Sequence, residues 1–508
     1  MPRALLTFVF SIVVGLSMLS GVGGAQSLAV TNVGPPTLID RALAQQVPVL
    51  QPLENGLTLL VWQEGEGSYG IITPPPPFDG RDGDRGGIVA TLLDRGGRPV
   101  LDAFLVNDVT EGDQQGPRVA MDPATGDFAV SWVGERVGDD WRLQVRKFHP
   151  NGRPQGPAVD LGVAELTRLR TGGGDLAYGA DGTLMALWPY DRQLMARGIA
   201  SDGTLGIEHL VEEDDSVGER RRLLARPDGG FLAIWSSGSL TVARPLDSTG
   251  RPTGPRQIVN GARMVAAEAI AVPLAPEPLA AVLTESTVFT SPLLFLIELS
   301  TGNTVTFFDV NEISTGFGLA PLPAGPILVQ GLDDDRDEIV LQVVSLDVEP
   351  LGPAVRALAA ESYDPQNTAI RVAADGSGLL VERGFEGLTA RSFTAPRDSD
   401  RLLLGGGRFE LTAEWADFDG DSGPGFARPL SDDTGAFWFF EPENLELTTK
   451  VIDGRGFNGN FWLFYGALSN VETILTLRDR VTGASREYTN PLGNFGSFGD
   501  VAALPGVE

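Results

Sequence analysis

One recurring pattern constrains the fold of this chain more than any other feature. Four stretches begin with a glycine and end six residues later with a tryptophan, and mostly apolar residues lie between; they run from Gly56 to Trp62, Gly126 to Trp132, Gly182 to Trp188 and Gly229 to Trp235. Three weaker copies at the same phase end at Leu283, Gly331 and Glu382. The closing positions are 70, 56, 47, 48, 48 and 51 residues apart. A period of about 50 residues is typical of one four-stranded unit in a repeat protein.

The second half of each repeat alternates between polar and apolar residues and ends in a glycine-containing turn. Residues 143 to 156 and 240 to 254 show this most clearly, and residues 88 to 100 and 194 to 206 follow more loosely. Alternation that ends in Asn-Gly, Asp-Gly or Thr-Gly is typical of a strand that enters a tight turn. Each repeat is therefore predicted to be an antiparallel meander. Seven such repeats predict a seven-bladed β-propeller over residues 26 to 393.

The seventh repeat lacks an outermost strand of its own. Residues 388 to 393 run directly into a polar stretch, whereas residues 27 to 33, SLAVTNV, have the same ending as the missing strand. Pairing the N-terminal segment onto the last repeat would protect the open edges of the ring. We therefore expect residues 27 to 33 to close the propeller.

The first 25 residues have the features of a secretory signal peptide. Arg3 precedes an apolar run over residues 4 to 19, and small residues follow up to Ala25. A membrane anchor is disfavoured because the run is shorter than the ~20 residues that a spanning helix needs. No later segment is apolar for long enough to cross a bilayer. We expect a protein that is secreted, periplasmic or held at the cell surface.

Charge and composition exclude several classes of function. The formal net charge is -29, and such a surface repels phosphate backbones and anionic lipids, which disfavours nucleic-acid and membrane-surface partners. Cysteine is absent, so no disulfide can form. The only imidazoles are His149 and His209, too few for a histidine-rich zinc site or a Ser-His-Asp triad unless one happens to be suitably placed.

The sequence changes character after the repeats. Residues 394 to 401 are polar with one proline and are predicted to be a linker to a separate domain at residues 402 to 508. Six short alternating strands are predicted there, at residues 409 to 415, 436 to 441, 445 to 453, 461 to 468, 472 to 479 and 485 to 490. Short strands with Gly, Asn and Pro turns and no helical period predict a β-sandwich.

Both parts resemble known sequence types. The repeats resemble tandem repeats of bacterial secreted proteins, of the form DGxFxVxW followed by VxxRxFxxxGxPxG, most closely at residues 118 to 162, while repeats five to seven have lost the tryptophan. Residues 402 to 508 resemble an uncharacterised C-terminal module of such proteins, through GGRFELTAEW, TGAFWFFEPENLEL and REYTNPLG. The resemblance implies export and a propeller, and it attaches no biochemical role to either part.

The four tryptophans of the repeats admit two interpretations. Exposed aromatic rings could stack on sugars, which would make them ligand residues. Trp62, Trp132, Trp188 and Trp235 each end an alternating apolar strand, however, and such positions lie between neighbouring sheets. We favour a core role, in which truncation costs roughly 3–5 kcal/mol through lost packing.

Acidic clusters provide the candidate metal ligands. Asp417, Asp419 and Asp421 stand at alternate positions, as a calcium loop requires, but Gly420 falls at the fourth place rather than the sixth and no acidic residue closes the loop. The alternative is a solvated hairpin turn. Two further clusters admit calcium or a purely solubilising role, namely Asp79, Asp82 and Asp84, and Asp333, Asp334, Asp335 and Asp337. No other cofactor is predicted.

The sequence favours a binding protein over an enzyme. Variable loops between similar strands suit recognition of a protein or glycan partner, with the C-terminal module assisting in binding or surface display. The alternative is a carbohydrate-active hydrolase or lyase, with carboxylates about 5–10 Å apart at the mouth of the channel. The Ser-x-Asp-x-Gly-x-x-Trp box of sialidase-like propellers is absent, since residues 180 to 188 have the wrong spacing. A purely structural envelope component is the third possibility.

Overall fold

The structure is a computed structural model that describes residues 28–40, 48–53, 55–65, 81–84, 86–135, 141–164, 174–213, 217–260, 264–272, 279–284, 292–310, 313, 315–322, 326–333, 338–345, 350–351, 353–359, 368–373, 376–384 and 387–506. The predicted signal peptide lies outside these residues. Within them, the secondary structure is β throughout apart from the four-residue helix α1 (Arg455–Asn458), which confirms the predicted all-β class. No helix in this part of the chain is long and apolar enough to cross a membrane.

Seven four-stranded antiparallel sheets contain the strands of the described residues up to Thr394; six are meanders of four consecutive strands, and the seventh joins three consecutive strands to the N-terminal strand. In chain order the first three sheets contain β2 (Val49–Pro52), β3 (Thr58–Gly65), β4 (Gly86–Leu93) and β5 (Phe104–Leu105); β6 (Gln114–Met121), β7 (Phe128–Glu135), β8 (Trp141–Phe148) and β9 (Val159–Val163); and β10 (Asp175–Tyr178), β11 (Leu184–Tyr190), β12 (Gln193–Ile199) and β13 (His209–Glu213). The fourth and fifth contain β14 (Val217–Ala225), β15 (Phe231–Ser237), β16 (Leu240–Leu246) and β17 (Gln257–Asn260); and β18 (Met264–Val272), β19 (Leu279–Thr284), β20 (Leu293–Glu298) and β21 (Thr304–Asp309). The sixth and seventh contain β22 (Thr315–Pro321), β23 (Ile327–Asp333), β24 (Glu338–Val344) and β25 (Val355–Ala359); and β26 (Thr368–Val372), β27 (Ser377–Gly384), β28 (Gly387–Thr394) and the N-terminal strand β1 (Thr37–Asp40).

The first strands of the seven sheets contact one another in a closed cycle. β2 contacts β6, each later first strand contacts the next, and β26 contacts β2. The middle strands are apolar on both faces because each sheet packs between two others; β3 and β4, for example, are buried along their whole length. We call these seven sheets the ring sheets.

The glycine of the repeat has a conformational role. Gly56, Gly126, Gly182 and Gly229 all stand in the turn between the first two strands of a sheet, with φ between 72° and 88°. A residue with a Cβ rarely adopts this left-handed conformation, so the turn favours glycine. The apolar strand that contains the tryptophan begins two residues after it.

The N-terminal segment lies along the seventh sheet, but its strand differs from the predicted one. β1 pairs with β28, with Thr37 opposite Ala390, and further upstream Thr31 and Thr394 exchange backbone hydrogen bonds of 2.9 and 2.8 Å. The regular strand that pairs with the seventh sheet is Thr37–Asp40, whereas the expected residues 27 to 33 contact this sheet through the bridge at Thr31; residue 27 lies outside the described residues. Pro35 and Pro36 separate the bridge from the strand because they lack the N–H group that a ladder needs.

Two five-stranded sheets form the C-terminal unit, which we define as residues 402 to 506. One sheet contains β29 (Leu402–Leu404), β30 (Phe409–Ala416), β31 (Ser422–Pro424), β36 (Glu472–Asp479) and β37 (Ser485–Asn490). The other, which we call the outer sheet, contains β32 (Phe426–Ser431), β33 (Thr434–Trp438), β34 (Leu447–Gly454), β35 (Asn460–Ala467) and β38 (Ser497–Pro505). Residues of both sheets share one core, with Leu411 and Leu475 from the first and Phe437 and Leu463 from the second. The six predicted strands omit β29, β31, β32 and β38, whose short or glycine- and proline-containing sequences alternate weakly.

The connection between the ring sheets and the C-terminal unit is packed rather than free. Asp398 is only 6 % exposed, and its carboxylate accepts hydrogen bonds from Arg428 Nε and Nη2 at 2.8 and 2.7 Å and from Trp438 Nε1 at 2.9 Å. Leu28, which precedes β1, packs against Phe426 and Trp438 of the C-terminal unit. Asp398, within the predicted linker at residues 394 to 401, is therefore buried and hydrogen-bonded to the C-terminal unit.

Candidate functional site

An open groove of about 490 Å³ lies on the outer sheet of the C-terminal unit. It crosses β33, β34, β35 and β38. Its lining combines aromatic rings, hydroxyl groups, one ammonium group and two glycines, contributed by Thr434, Thr448, Thr449, Lys450, Phe464, Tyr465, Gly466, Ser497, Phe498 and Gly499. Convergent apolar and hydrogen-bonding groups in one depression are typical of ligand sites.

The strand β35 brings aromatic side chains to this face because both of its faces are apolar. Successive side chains of a strand point to opposite faces. Phe461 and Leu463 point inward and are buried in the core, so Trp462 and Phe464 point outward. Outward positions of a sheet with one solvated face are ordinarily polar. These two positions therefore break the rule of the fold.

Three aromatic rings form a continuous row on this surface, and we call Phe457, Trp462 and Phe464 the aromatic row. Phe457 is 85 % exposed, and its ring centroid lies 5.5 Å from that of Trp462, which lies 6.5 Å from that of Phe464. The rings of the row are supported by glycines on neighbouring strands. A Cβ at Gly454 would collide with the indole of Trp462, and one at Gly499 would lie 2.8 Å from the ring of Phe464. Glycine at these positions lets the rings lie close to the backbone of the sheet.

The groove also contains polar groups, although most of its lining is apolar. Gly466 lies beneath it, and a Cβ at this position would stand 3.6 Å from both Thr448 Oγ1 and Ser497 Oγ, with no closer neighbour. Lys450 Nζ forms an ion pair with Asp433 Oδ2 at 2.8 Å, and this hydrogen bond, aided by others from neighbouring hydroxyls, holds the pKa of Asp433 below its ordinary value. An ammonium group has three donors, so Lys450 can also donate to a ligand.

The four tryptophans of the repeats lie elsewhere, in the cores between ring sheets. Trp62, Trp132, Trp188 and Trp235 are each 0 % exposed. Trp188 Nε1 donates to Val163 O at 3.0 Å, whereas the indole nitrogens of the other three have no hydrogen-bond partner among the residues that the structure describes. Their rings offer no surface to a ligand.

The described aspartates of the acidic clusters accept backbone hydrogen bonds in turns and loops. Asp417 Oδ1 accepts backbone N–H groups of Asp419 and Asp421 at 2.9 Å each, which caps the hairpin between β30 and β31. Asp82 accepts from Asp84 N at 3.3 Å and Asp84 from Gly112 N at 2.8 Å. Within the described residues, no three His, Cys, Asp or Glu side chains are grouped so that they could hold a metal ion. Calcium at Asp417, Asp419 and Asp421 stays a prediction, for titration with calcium to test. Asp79 and residues 334 to 337 lie outside the described residues.

Carboxylates near the start of the first ring sheet are held by arginine. Arg81 Nη1 lies 3.0 Å from Glu64 and Nη2 lies 2.6 Å from Asp40, so one guanidinium joins the first ring sheet to the closing strand β1. Burial raises the pKa of Glu64 above its ordinary value, and the opposing charge of Arg81 only partly offsets this. On the first strands of the third and fourth sheets, Asp175 and Arg222 form a similar pair at 3.7 Å.

Sequence reasoning did not single out the aromatic row or the groove. The signal is nevertheless present, because FWLFY at residues 461 to 465 is apolar at every position although the C-terminal unit has only two sheets. In a two-layer fold, one face of each strand meets solvent, so an unbroken apolar strand must expose some of its side chains. Which face is exposed depends on the register of β35, which the pattern alone does not give.

Comparisons with known proteins leave the function open. No protein-family model matches the chain, and no curated protein matches it. Solved structures that align with it include hydrazine synthase of Kuenenia stuttgartiensis (TM-score 0.37, 11% identity, 56% of this chain and 97% of that one), the Hadza microbial sialidase Hz136 (0.36, 11%, 69% and 66%) and prolyl oligopeptidase B of Galerina marginata (0.41, 13%, 76% and 56%). Similarity at this level bears on neither ligand nor activity. The function is therefore inferred from the geometry of the described residues.

Proposed function

We propose that this chain is an exported binding protein, in which a seven-bladed β-propeller at residues 26 to 393 carries a C-terminal β-sandwich at residues 402 to 508. The closed cycle of contacts between the seven ring sheets supports the propeller. The core shared by two five-stranded sheets supports the sandwich. The apolar N-terminal run with its small-residue end supports export to the periplasm, the cell surface or the medium.

The proposed activity is recognition of a protein or glycan partner through the groove of the outer sheet. One observation carries it: aromatic rings, hydroxyl groups and an ammonium group converge on an open depression of about 490 Å³. Exposed aromatic surface is costly in a soluble protein unless a partner covers it. The ring sheets bury their own tryptophans and hold the sandwich through Asp398 and Leu28, which suits a scaffold.

The test uses the full mature chain and a variant with a filled groove. Gly466→Leu places a side chain where the nearest atoms are 3.6 Å from the Cβ and the backbone is not left-handed, so we expect it to fold. Gly156→Leu, at a ring glycine with no atom within 4 Å of a Cβ, is the matched control. Both are screened with the wild type on arrays of glycans and peptides. The proposal requires a ligand that the wild type and Gly156→Leu bind and Gly466→Leu does not. Equal binding by all three, or no ligand, contradicts it.

The alternative, a carbohydrate-active hydrolase or lyase, has one observation in its favour. A general acid needs a carboxyl group with a raised pKa, and burial gives Glu64 one beside a second carboxylate, Asp40. Both carboxylates form ion pairs with Arg81, however, which favours a structural role for the two groups. The alternative requires that the wild type releases sugars from a polysaccharide panel and that Glu64→Gln does not. Absence of turnover by the wild type removes it.

A further inference from the structure

We propose that the ligand of the groove is a single chain of a neutral glycan, which lies along the aromatic row and places one sugar residue over Gly466. This inference rests on the proposed function and adds the chemical class of the partner. The row and the groove share Phe464, so a ligand that enters the groove meets the row.

The aromatic row matches the apolar faces of sugar rings. A pyranose presents C–H groups on its faces, and these pack against the negative face of an aromatic ring. The rings of the row follow one another at 5.5 and 6.5 Å, a spacing close to the length of one sugar residue in a chain. Alternatively, these rings could be purely structural, since aromatic side chains often cover glycines of a sheet. This explains Trp462 and Phe464, which lie over Gly454 and Gly499. It does not explain Phe457, which is almost wholly exposed.

The angles between the rings favour one chain over a flat surface. Phe457 and Trp462 are inclined by 43°, and Trp462 and Phe464 by 75°. A crystalline polysaccharide offers a plane, which could contact only one such ring at a time. A single flexible chain can turn each sugar to a differently inclined ring.

The polar groups match the edges of a sugar residue. Sugar hydroxyls donate and accept hydrogen bonds, and the groove offers both kinds of partner. Thr448 and Ser497 flank the space above Gly466, and Lys450 supplies a further donor at one side. Because Gly466 has no side chain, a ring-sized ligand can reach these hydroxyls.

Charge favours a neutral glycan over an acidic one. The chain carries a formal net charge of -29, which repels polyanions. The one lysine in the groove already has a counter-ion in Asp433, so an acidic sugar finds no unbalanced cation there. A peptide is disfavoured for another reason. Peptides that bind to sheets pair with free edges, whereas three of the four strands of the groove, β33, β34 and β35, are interior strands whose backbones are already paired. The fourth strand, β38, stands at the edge of the sheet, so the peptide array tests this alternative directly.

The experiment is calorimetric titration of the full mature chain with soluble neutral hexasaccharides of glucose, mannose and N-acetylglucosamine. A galacturonate hexamer, a crystalline cellulose suspension and the peptide array are the comparison probes. We expect one neutral hexasaccharide to bind, and Phe464→Ala to weaken it by roughly tenfold or more, the equivalent of about one stacking contact. Phe464→Trp keeps a ring and retains binding. Phe418→Ala removes an aromatic that is 62 % exposed on the other sheet and leaves the affinity unchanged.

The outcomes separate this inference from the proposed function. Binding of a neutral hexasaccharide that is weakened in Phe464→Ala and retained in Phe464→Trp supports both the proposed function and the neutral glycan. If only the acidic hexamer or a peptide binds, and Gly466→Leu abolishes that binding, recognition stands and the neutral glycan is overturned. If the protein binds crystalline cellulose more strongly than any soluble hexasaccharide, the ligand is a flat surface and the single-chain proposal is overturned. If a neutral hexasaccharide binds and its affinity is the same in Phe464→Ala and Gly466→Leu as in the wild type, the groove is not the binding site and the proposed function is overturned.

Discussion

The ring sheets and the C-terminal unit use the same residue types in opposite ways. Trp62, Trp132, Trp188 and Trp235 of the ring are completely buried, whereas the aromatic row of the C-terminal unit is partly or almost wholly exposed. The cause is the number of packed faces. A ring sheet meets another sheet on both faces, while the second face of the outer sheet is covered at Phe426 and Trp438, which pack against Leu28, and is exposed at Phe464. An aromatic residue on this uncovered part of the outer sheet is therefore available to a partner.

The largest effect should follow from opening the ring. Deletion of residues 28 to 40 removes β1, and with it Ile39, which packs against the cluster that contains Trp62. We expect a large loss of stability and exposure of Trp62, because an unpaired edge and an apolar cluster are left in water. Thermal denaturation and fluorescence quenching by acrylamide measure both effects. A deletion variant with the melting temperature and quenching of the wild type would contradict ring closure by this segment.

Truncation of a ring tryptophan compares the two regions directly. Trp132→Ala should lower the free energy of unfolding by about 3–5 kcal/mol, through lost packing at a completely buried site. Trp462→Ala, on the outer sheet, should cost about 1 kcal/mol or less. Urea denaturation of both variants gives the comparison. If Trp462→Ala is the more destabilising, the row belongs to the core of the protein and the contrast between the regions fails.

The joint between the two regions gives the next effect. Asp398→Ala leaves Arg428 and Trp438 without their buried acceptor and should cost about 3 kcal/mol. We expect the C-terminal unit to unfold separately from the ring sheets in calorimetry. Asp453→Ala, which breaks an exposed pair with Arg455, is the control and should change little. One unchanged transition in Asp398→Ala would show that the joint is held elsewhere.

A smaller, pH-dependent effect is expected within the C-terminal unit. Burial alone would raise the pKa of Asp479, but hydrogen bonds from Arg408 and Val481 N outweigh it and leave the pKa below its ordinary value. A depressed carboxyl pKa stabilises the fold above the unfolded value of about 3.9, and this stability is lost as the pH falls through the folded value. Asp479→Asn should therefore be less stable than the wild type near neutral pH, and the difference should shrink in acid. Urea midpoints at several pH values test this, and a constant difference would refute it.

The sequence carries much of the fold, and the reasons are physical. Glycine at positive φ before the strands that contain tryptophan is a local requirement, so Gly126 and Gly182 mark the turns of the repeat without reference to the rest of the molecule. The closing strand was displaced because its register depends on distant residues. Pairing of Thr37 with Ala390 joins parts of the chain that local patterns cannot relate.

The candidate site was harder to predict than the fold. Its residues come from four strands of the outer sheet, and only the register that sets Lys450 opposite Phe464 and Gly466 opposite Ser497 assembles them. Linear motifs drew attention instead to Asp417, Asp419 and Asp421, which lie in a capped turn and where calcium binding stays a prediction. A site whose residues are brought together by strand pairing leaves no motif of fixed spacing in the sequence.

The most direct test of the contrast between the regions is hydroxyl-radical footprinting of the full mature chain, read by mass spectrometry with and without the neutral hexasaccharide. We expect strong labelling of Phe457 and Trp462, suppression of that labelling by the sugar, and little labelling of Trp62, Trp132, Trp188 and Trp235 in either condition. Labelling of the ring tryptophans as strong as that of Trp462, or no protection of the aromatic row by any bound ligand, would contradict the account.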